Sequence, residues 1–146
     1  APALIPDGDK LTQAADGGNM EAALELAGLY GDPDSGLIEN PGEQARLIMM
    51  AAEAGLPAAK AALGVLYEFG RGVEQRPDRA AALYIEALES GEVPFEALRD
   101  GAPFDWEYDT AVAFQDALAL RGVYNGGSDG IVGPGTRAAA ERLIGG

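Results

Sequence analysis

Ala51-Ala52-Glu53-Ala54-Gly55 sets the period of this chain. A similar stretch, Ala14-Ala15-Asp16-Gly17-Gly18, lies 37 residues earlier, and another, Ala87-Leu88-Glu89-Ser90-Gly91, lies 36 residues later. In each, a glycine stands just past an apolar run, where a helix needs a left-handed residue to stop. Reading back from Gly91, Ala80, Leu83, Tyr84, Ala87 and Leu88 fall at i, i+3, i+4, i+7 and i+8, one stripe of an amphipathic helix. The same offsets from Gly55 give Leu47, Ile48, Ala51 and Ala52, with polar Gln44 in the first place. From Gly18 they give Leu11, Ala14 and Ala15, a partial unit.

Reading forward, a second helix recurs in each unit. Ala22, Leu26, Ala27 and Tyr30 match Ala59, Leu63, Gly64 and Tyr67. The small residue, Ala27 or Gly64, predicts close approach by a neighbouring helix. The tyrosine predicts a ring on the core with its hydroxyl at the edge. The connectors also repeat: Gly36-Leu37-Ile38-Glu39-Asn40-Pro41 matches Gly72-Val73-Glu74-Gln75-Arg76-Pro77. Each is a turn, then a proline that opens a new helix. Paired helices at a fixed period predict an all-α chain, a short α-solenoid of helix-turn-helix repeats.

The pattern resembles the Sel-one-like repeat, a relative of the tetratricopeptide repeat, over about residues 7–91. The residues that carry it best are Ala62-Leu63-Gly64-Val65-Leu66-Tyr67, Gly70-Arg71-Gly72-Val73, Arg79-Ala80 and Glu86-Ala87-Leu88-Glu89-Ser90-Gly91. The first full unit departs from it, with Asn40 in place of a frequent aspartate and Gln44 in place of a small residue, which implies looser helix packing there. The resemblance implies a curved surface that binds another protein. On that reading Tyr30, Tyr67 and Tyr84 line a protein-binding groove; on the competing one they pack between repeats. Two and a half units are few for a solenoid, so another element should cap the end.

After Gly91 the period fails. A short helix is expected over Phe95 to Arg99 and a longer one from about Tyr108 to Arg121, with Val112, Gln115, Leu118 and Ala119 on related faces, Phe114 beside them, and Gly122 ending it. The glycine-rich turn Asn125-Gly126-Gly127-Ser128-Asp129-Gly130 follows, and Gly133-Pro134-Gly135-Thr136 starts the last helix, where threonine can satisfy free amides. Two divisions result: repeats over 1–97 and a small helical module over 98–146, packed at the end of the solenoid.

That module resembles the peptidoglycan-binding domain of many bacterial cell-wall hydrolases, over roughly residues 104–144. The resemblance is carried by Val112-Ala113-Phe114-Gln115, Leu118, Gly122, Tyr124, Asp129-Gly130-Ile131-Val132-Gly133-Pro134 and Thr136-Arg137-Ala138-Ala139. The chain stops at Leu143-Ile144-Gly145-Gly146, without the aromatic and glutamine usual after the last helix, which puts ligand contact in question more than fold. The resemblance implies that Tyr124, Asp129 and Arg137 stand nearest a wall ligand, holding a sugar face and a peptide carboxylate. The competing reading makes Tyr124 core, Asp129 an organiser of its own turn and Arg137 solvated. Trp106, flanked by Phe104 and Tyr108, is either the seam between repeats and module or an exposed hot spot for a protein partner.

Composition narrows the function. Net charge is −14; residues 1–97 hold 17 acidic and 6 basic residues, and residues 98–146 hold 7 and 4. Phosphate contacts need a basic surface, so nucleic acid is not expected as a partner. With neither cysteine nor histidine, thiolate and imidazole chemistry are absent, and neither metal nor cofactor is expected. Carboxylate pairs such as Asp32 with Asp34, or Glu39 with Glu43, lack the marks of a glycosidase cleft. Ser35, Ser90 and Ser128 have no recognisable base, whether imidazole or Lys10 or Lys60. No apolar run, Leu47 to Ala52 included, comes near the roughly 18 residues that span a bilayer. Ala1-Pro2 opens the chain without methionine, which fits signal-peptide removal or a piece of a longer chain equally.

Together these features predict a non-enzymatic periplasmic or secreted scaffold, with a protein partner on the repeats and peptidoglycan on the module. Two alternatives are an accessory subunit whose module is only a cap, and the non-catalytic part of a wall hydrolase.

Overall fold

The computed structural model describes residues 12–32, 34–36 and 40–145. Leu11 of the first stripe, Lys10, Pro33 and Leu37-Ile38-Glu39 of the first connector lie outside the described residues. Within them the chain is all-helical, without strands. Residues 12–16 are helical, and α1 (Met20–Tyr30), α2 (Pro41–Glu53), α3 (Pro57–Phe69) and α4 (Pro77–Glu89) follow. A single 3-10 turn (Phe95–Ala97) leads to α5 (Tyr108–Leu120) and α6 (Pro134–Gly145).

The helices stop and start where the repeat demands. Gly18, Gly55 and Gly91 all have positive φ, at 100°, 96° and 78°. At Gly55 the amide donates to Ala52 O (2.9 Å) and the next amide, of Leu56, to Ala51 O (3.2 Å), so two orphan carbonyls are satisfied. Proline occupies the first turn of α2, α3 and α4, where its missing N–H costs nothing. Asn40 caps α2 by accepting from the Glu43 amide at 3.1 Å.

Each helix lays its small-residue stripe on the next. Leu47, Ile48, Ala51 and Ala52 of α2 are buried, as are Ala80, Tyr84, Ala87 and Leu88 of α4. Gly64 is the close-approach point expected from the sequence: a Cβ there would lie 2.6 Å from the Tyr84 ring. Gln44, the departure in the first full unit, bridges two helices. Its Nε2 donates to Ala27 O at 3.1 Å, a carbonyl in the last turn of α1, where helix carbonyls need partners from outside.

The solenoid ends at α4. Where a further second helix would stand, only the Phe95–Ala97 turn forms, and α5 and α6 cover α4 instead. Pro94 limits the segment on one side and Gly101 (φ 82°) on the other. On α5 the buried residues are Thr110, Ala111, Phe114, Gln115 and Leu118; Gln115, Leu118 and Phe114 lie where expected, while Val112 is half-buried and Ala119 exposed, so the stripe is centred on the Phe114 side. Phe114, Leu118, Leu98, Ala139 and Ala140 share one core cluster with Tyr84, Ile85 and Leu88. Packing is therefore continuous across the 97/98 boundary.

Candidate functional site

The seam between α3–α4 and the module is built around one carboxylate. Glu68 sits on α3 at i+7 from Ala61, in line with Gly64 and Val65, and is fully buried. Arg99 grips it bidentately, Nε to Oε1 at 2.8 Å and Nη2 to Oε2 at 2.7 Å. The Tyr84 hydroxyl donates to Oε1 at 2.6 Å and the Glu107 amide to Oε2 at 2.8 Å. Four donors leave the carboxylate saturated, which is the condition for a buried charge to be tolerated. Burial, together with the adjacent Glu68 charge, pushes the Tyr84 hydroxyl well above the ordinary tyrosine range.

Arg99 also places an aromatic ring. Its guanidinium stacks 4.5 Å over Trp106, and it reaches the carbonyls of Phe104 and Asp105 at 3.4 Å each. Trp106 then meets Tyr84 edge-on at 5.4 Å and Phe114 at 4.8 Å between centroids. The aromatic cluster predicted around Trp106 is thereby split. Trp106 turns into the seam and stays partly buried, while Phe104 is 95 % exposed and Tyr108 largely exposed.

The glycine-rich turn is held by a second buried polar residue. Gln115 on α5 is fully buried. Its Nε2 faces Ile131 O (2.9 Å), Thr136 Oγ1 (3.1 Å) and Asp129 Oδ1 (3.1 Å), and its Oε1 accepts from the Gly130 amide (2.9 Å). Asp129 accepts from the Ile131 amide at 2.9 Å. That bond and the one from Gln115 hold its carboxyl below the usual aspartate range. Gly130 has φ 78°, and a Cβ there would collide with the Tyr108 ring; only glycine fits. The Thr136 hydroxyl, expected to serve the start of α6, accepts from Gln115.

This clamp props open a groove of about 670 Å³. Trp106, Phe104 and Phe95 line one part, Ile131 and Pro134 another, and Arg137 stands among them. Ile131 is 70 % exposed. Arg137 lies 5.5 Å over the Phe95 ring and is shared between Glu141 (3.3 Å) and Glu96 (3.7 Å). Both pairs are solvent-exposed, and such pairs contribute about 0–1 kcal/mol, so an incoming carboxylate can compete for the guanidinium. Asp105 lines the groove as well, so aromatic faces stand beside one cation and one carboxylate, which suits a ligand with an apolar or sugar face and both an acidic group and a hydrogen-bond donor.

Of the three residues singled out for a wall ligand, only Arg137 lines this groove. Asp129 organises its own turn beneath it. The Tyr124 ring is half-buried against Gly126, and its hydroxyl donates to Gly127 O at 2.9 Å. Among the tyrosines expected to face a protein partner, Tyr84 is fully buried and presents no surface, because Gly64 lets its ring pass under α3 to reach Glu68. Tyr30 and Tyr67 are half-buried, and Tyr67 carries the Arg79 guanidinium 5.1 Å over its ring. The sequence did carry a signal for Glu68, a charge on an apolar helical stripe. It carried one for Ile131 too, an apolar residue inside a glycine-rich turn.

Among the described residues, no group of three or more acidic side chains is placed to hold a metal ion, and no helix is long and apolar enough to cross a membrane. No protein-family profile matches the chain, and no curated protein matches it significantly.

Proposed function

We propose that this chain is a non-catalytic adaptor of the bacterial envelope, periplasmic or secreted. Its Sel-one-like repeats bind a protein partner, and its C-terminal module, of the peptidoglycan-binding type, contacts the cell wall. The observation that carries the wall contact is the groove: an exposed Phe104, an exposed Ile131 and the Trp106 edge around the Arg137 guanidinium. Exposed apolar side chains gathered at one groove mark a binding surface more than scattered ones do. The non-catalytic reading draws support from Glu68, the one acidic side chain fully buried among the described residues; its oxygens are occupied by four structural donors.

Co-sedimentation of the full-length chain with purified sacculi tests this. Truncation at residue 97 is unsuitable, since it would strip Arg99 from buried Glu68. The variants to compare are Phe104→Ser and Arg137→Ala, both at exposed positions. The expected result is sedimentation of the parent and about tenfold weaker binding of each variant, the loss of one good contact. Wall peptides and this chain are both acidic, so binding should strengthen modestly as salt screens their repulsion. Equal sedimentation of parent and variants takes the contact away from this groove; sedimentation by none removes the wall contact altogether. The continuous core across the seam would then favour the second reading: an accessory subunit whose module serves as a cap.

A further inference from the structure

The repeats carry a trough that the C-terminal groove does not touch. Three adjoining depressions, of about 320, 350 and 720 Å³, share Leu24 of α1. They run from Pro57 at the start of α3 to Gly70 and Gly72 beyond its end. Toward Pro57 the floor is small and apolar, with Ala58, Ala62 and Val93 beside Leu24; toward Gly70 it becomes polar, with Gln44 and Arg71. It is open because the segment after α4 forms only the Phe95–Ala97 turn instead of a full helix beside α3.

The edges are acidic. Glu21 and Glu25 stand on the α1 side, with Glu92 and Asp100 on the other. Among the described residues none of these four takes part in an ion pair, although Glu43, Glu86, Glu89 and Glu96 all do. Among the described residues Arg71, at the Gly70–Gly72 end, is the one cation that lines the trough, and it is drawn toward the Phe69 ring (5.2 Å). An apolar floor between unpaired carboxylates is complementary to apolar side chains on a backbone that also carries lysine or arginine.

Resting on the reading of the repeats as a partner-binding surface, we propose that this trough takes an extended, basic-apolar peptide segment of that partner. The length fits. The 13 residues of α3 span about 20 Å at 1.5 Å per residue, which accommodates about six residues of extended chain at roughly 3.3 Å each. Alternate side chains would settle on Leu24, Ala58 and Ala62, and the long stems between them would bring their charges to the acidic edges.

The test uses the full-length chain and a fluorescein-labelled octapeptide of alternating leucine and lysine, against the same peptide with glutamate in place of lysine. Because any cation is drawn to a chain of net charge −14, two equally charged variants are compared. One replaces the edge: Glu21→Gln, Glu25→Gln, Glu92→Gln and Asp100→Asn. The other replaces four exposed acids elsewhere: Asp16→Asn, Asp34→Asn, Glu53→Gln and Glu74→Gln. A third variant, Ala58→Trp, fills the floor at an exposed position, with helicity checked by circular dichroism.

The lysine peptide should bind and the glutamate peptide should not. The edge variant should bind about tenfold more weakly, as four partly solvated charge contacts are lost. The control variant should change less than threefold, and Ala58→Trp should abolish binding. Added salt should weaken this binding, opposite in sign to the wall contact, so the two sites fail separately. Binding indifferent to Ala58→Trp, or equally weakened by both charge variants, overturns the trough while leaving a partner surface elsewhere on the repeats. No preference for the lysine peptide overturns it as well.

Discussion

The two halves of the molecule hold themselves together by opposite means. In the repeats, α1, α2 and α3 meet through small apolar residues, with Ala23, Ala27, Ala45, Ala51 and Ala59 all buried. In the module, an apolar core that includes Phe114 and Leu118 is further fixed by buried polar groups: Glu68 of α3 with Arg99 across the seam, and Gln115 beneath the glycine-rich turn. Small-residue packing tolerates a repeating sequence, because each unit needs only to be small in the same places. A buried polar group tolerates almost nothing, since every donor and acceptor must be met by a particular partner. The repeats form a surface that can be extended; the module forms a joint with one geometry.

The sharpest way to break that contrast is at Glu68. Glu68→Gln keeps the shape and leaves Arg99, only 9 % exposed, without its counter-charge. Breaking a buried pair by removing one partner costs about 3–5 kcal/mol, which for a chain this size lowers Tm by about 10–20 °C. Thermal unfolding followed by circular dichroism reads it. The double variant Glu68→Gln with Arg99→Met should be the more stable of the two, because no charge is then buried alone. A loss under 1 kcal/mol for Glu68→Gln would mean that the seam is held by Trp106 and Phe114, and that the two halves differ less than their polar contacts suggest.

The matching intervention in the repeats is Gly64→Ala. The added Cβ would stand 2.6 Å and 2.8 Å from two carbons of the Tyr84 ring, a ring pinned by its bond to Glu68 and by Trp106. Overpacking of this kind costs about 1–3 kcal/mol, against a gain of at most about 1 kcal/mol from alanine's better helix propensity. Net destabilisation, read from the urea midpoint, is the expected outcome. A stabilised variant would show that α3 and α4 can separate freely, and that close packing is not what orders the repeats.

This contrast also decides what the sequence could reveal. The helices of the repeats were legible because a stripe at i, i+3, i+4 and i+7, a closing glycine and an opening proline all recur at one period. Gly55 and Gly91 cap where the spacing placed them. The polar joint was not legible. Glu68 meets Arg99 31 residues on and the Glu107 amide 39 residues on, and no periodicity links those positions. Tyr84 shows the same limit from the other side. Its place on the apolar stripe of α4 could be read, but whether its hydroxyl reached solvent or a buried carboxylate depended on Glu68. The groove was half legible: Arg137 could be singled out as a cation beside a turn, whereas Phe95 and Phe104 join it only through the path of the chain between α4 and α5.

The finest test of the polar joint lies at Asp129, where charge rather than shape is in play. Its carboxylate accepts from the Ile131 amide and from Gln115, and both bonds favour the ionised form, so its pKa is lower folded than unfolded. A depressed pKa in the folded state contributes stability that is fully present above the unfolded value, about 3.9, and is lost as pH falls through the folded value. The contribution is therefore intact at pH 7 and disappears on acidification below about pH 4. Glu43 and Asp78, lowered by hydrogen bonds from Arg46 and Arg76, lose their own contributions in a similar range, so the raw pH profile cannot isolate the turn. The difference between the parent and Asp129→Asn does, since asparagine can keep an acceptor at Oδ1 but cannot titrate. That difference should be constant from pH 5 to 7 and shrink below pH 4, with the Ile131 amide losing protection, relative to its intrinsic exchange rate at each pH, in the acidified parent. A difference that does not change with pH would mean that the turn is fixed by Gln115 and Gly130 alone, so that the joint depends on the geometry of its polar groups and not on their charge.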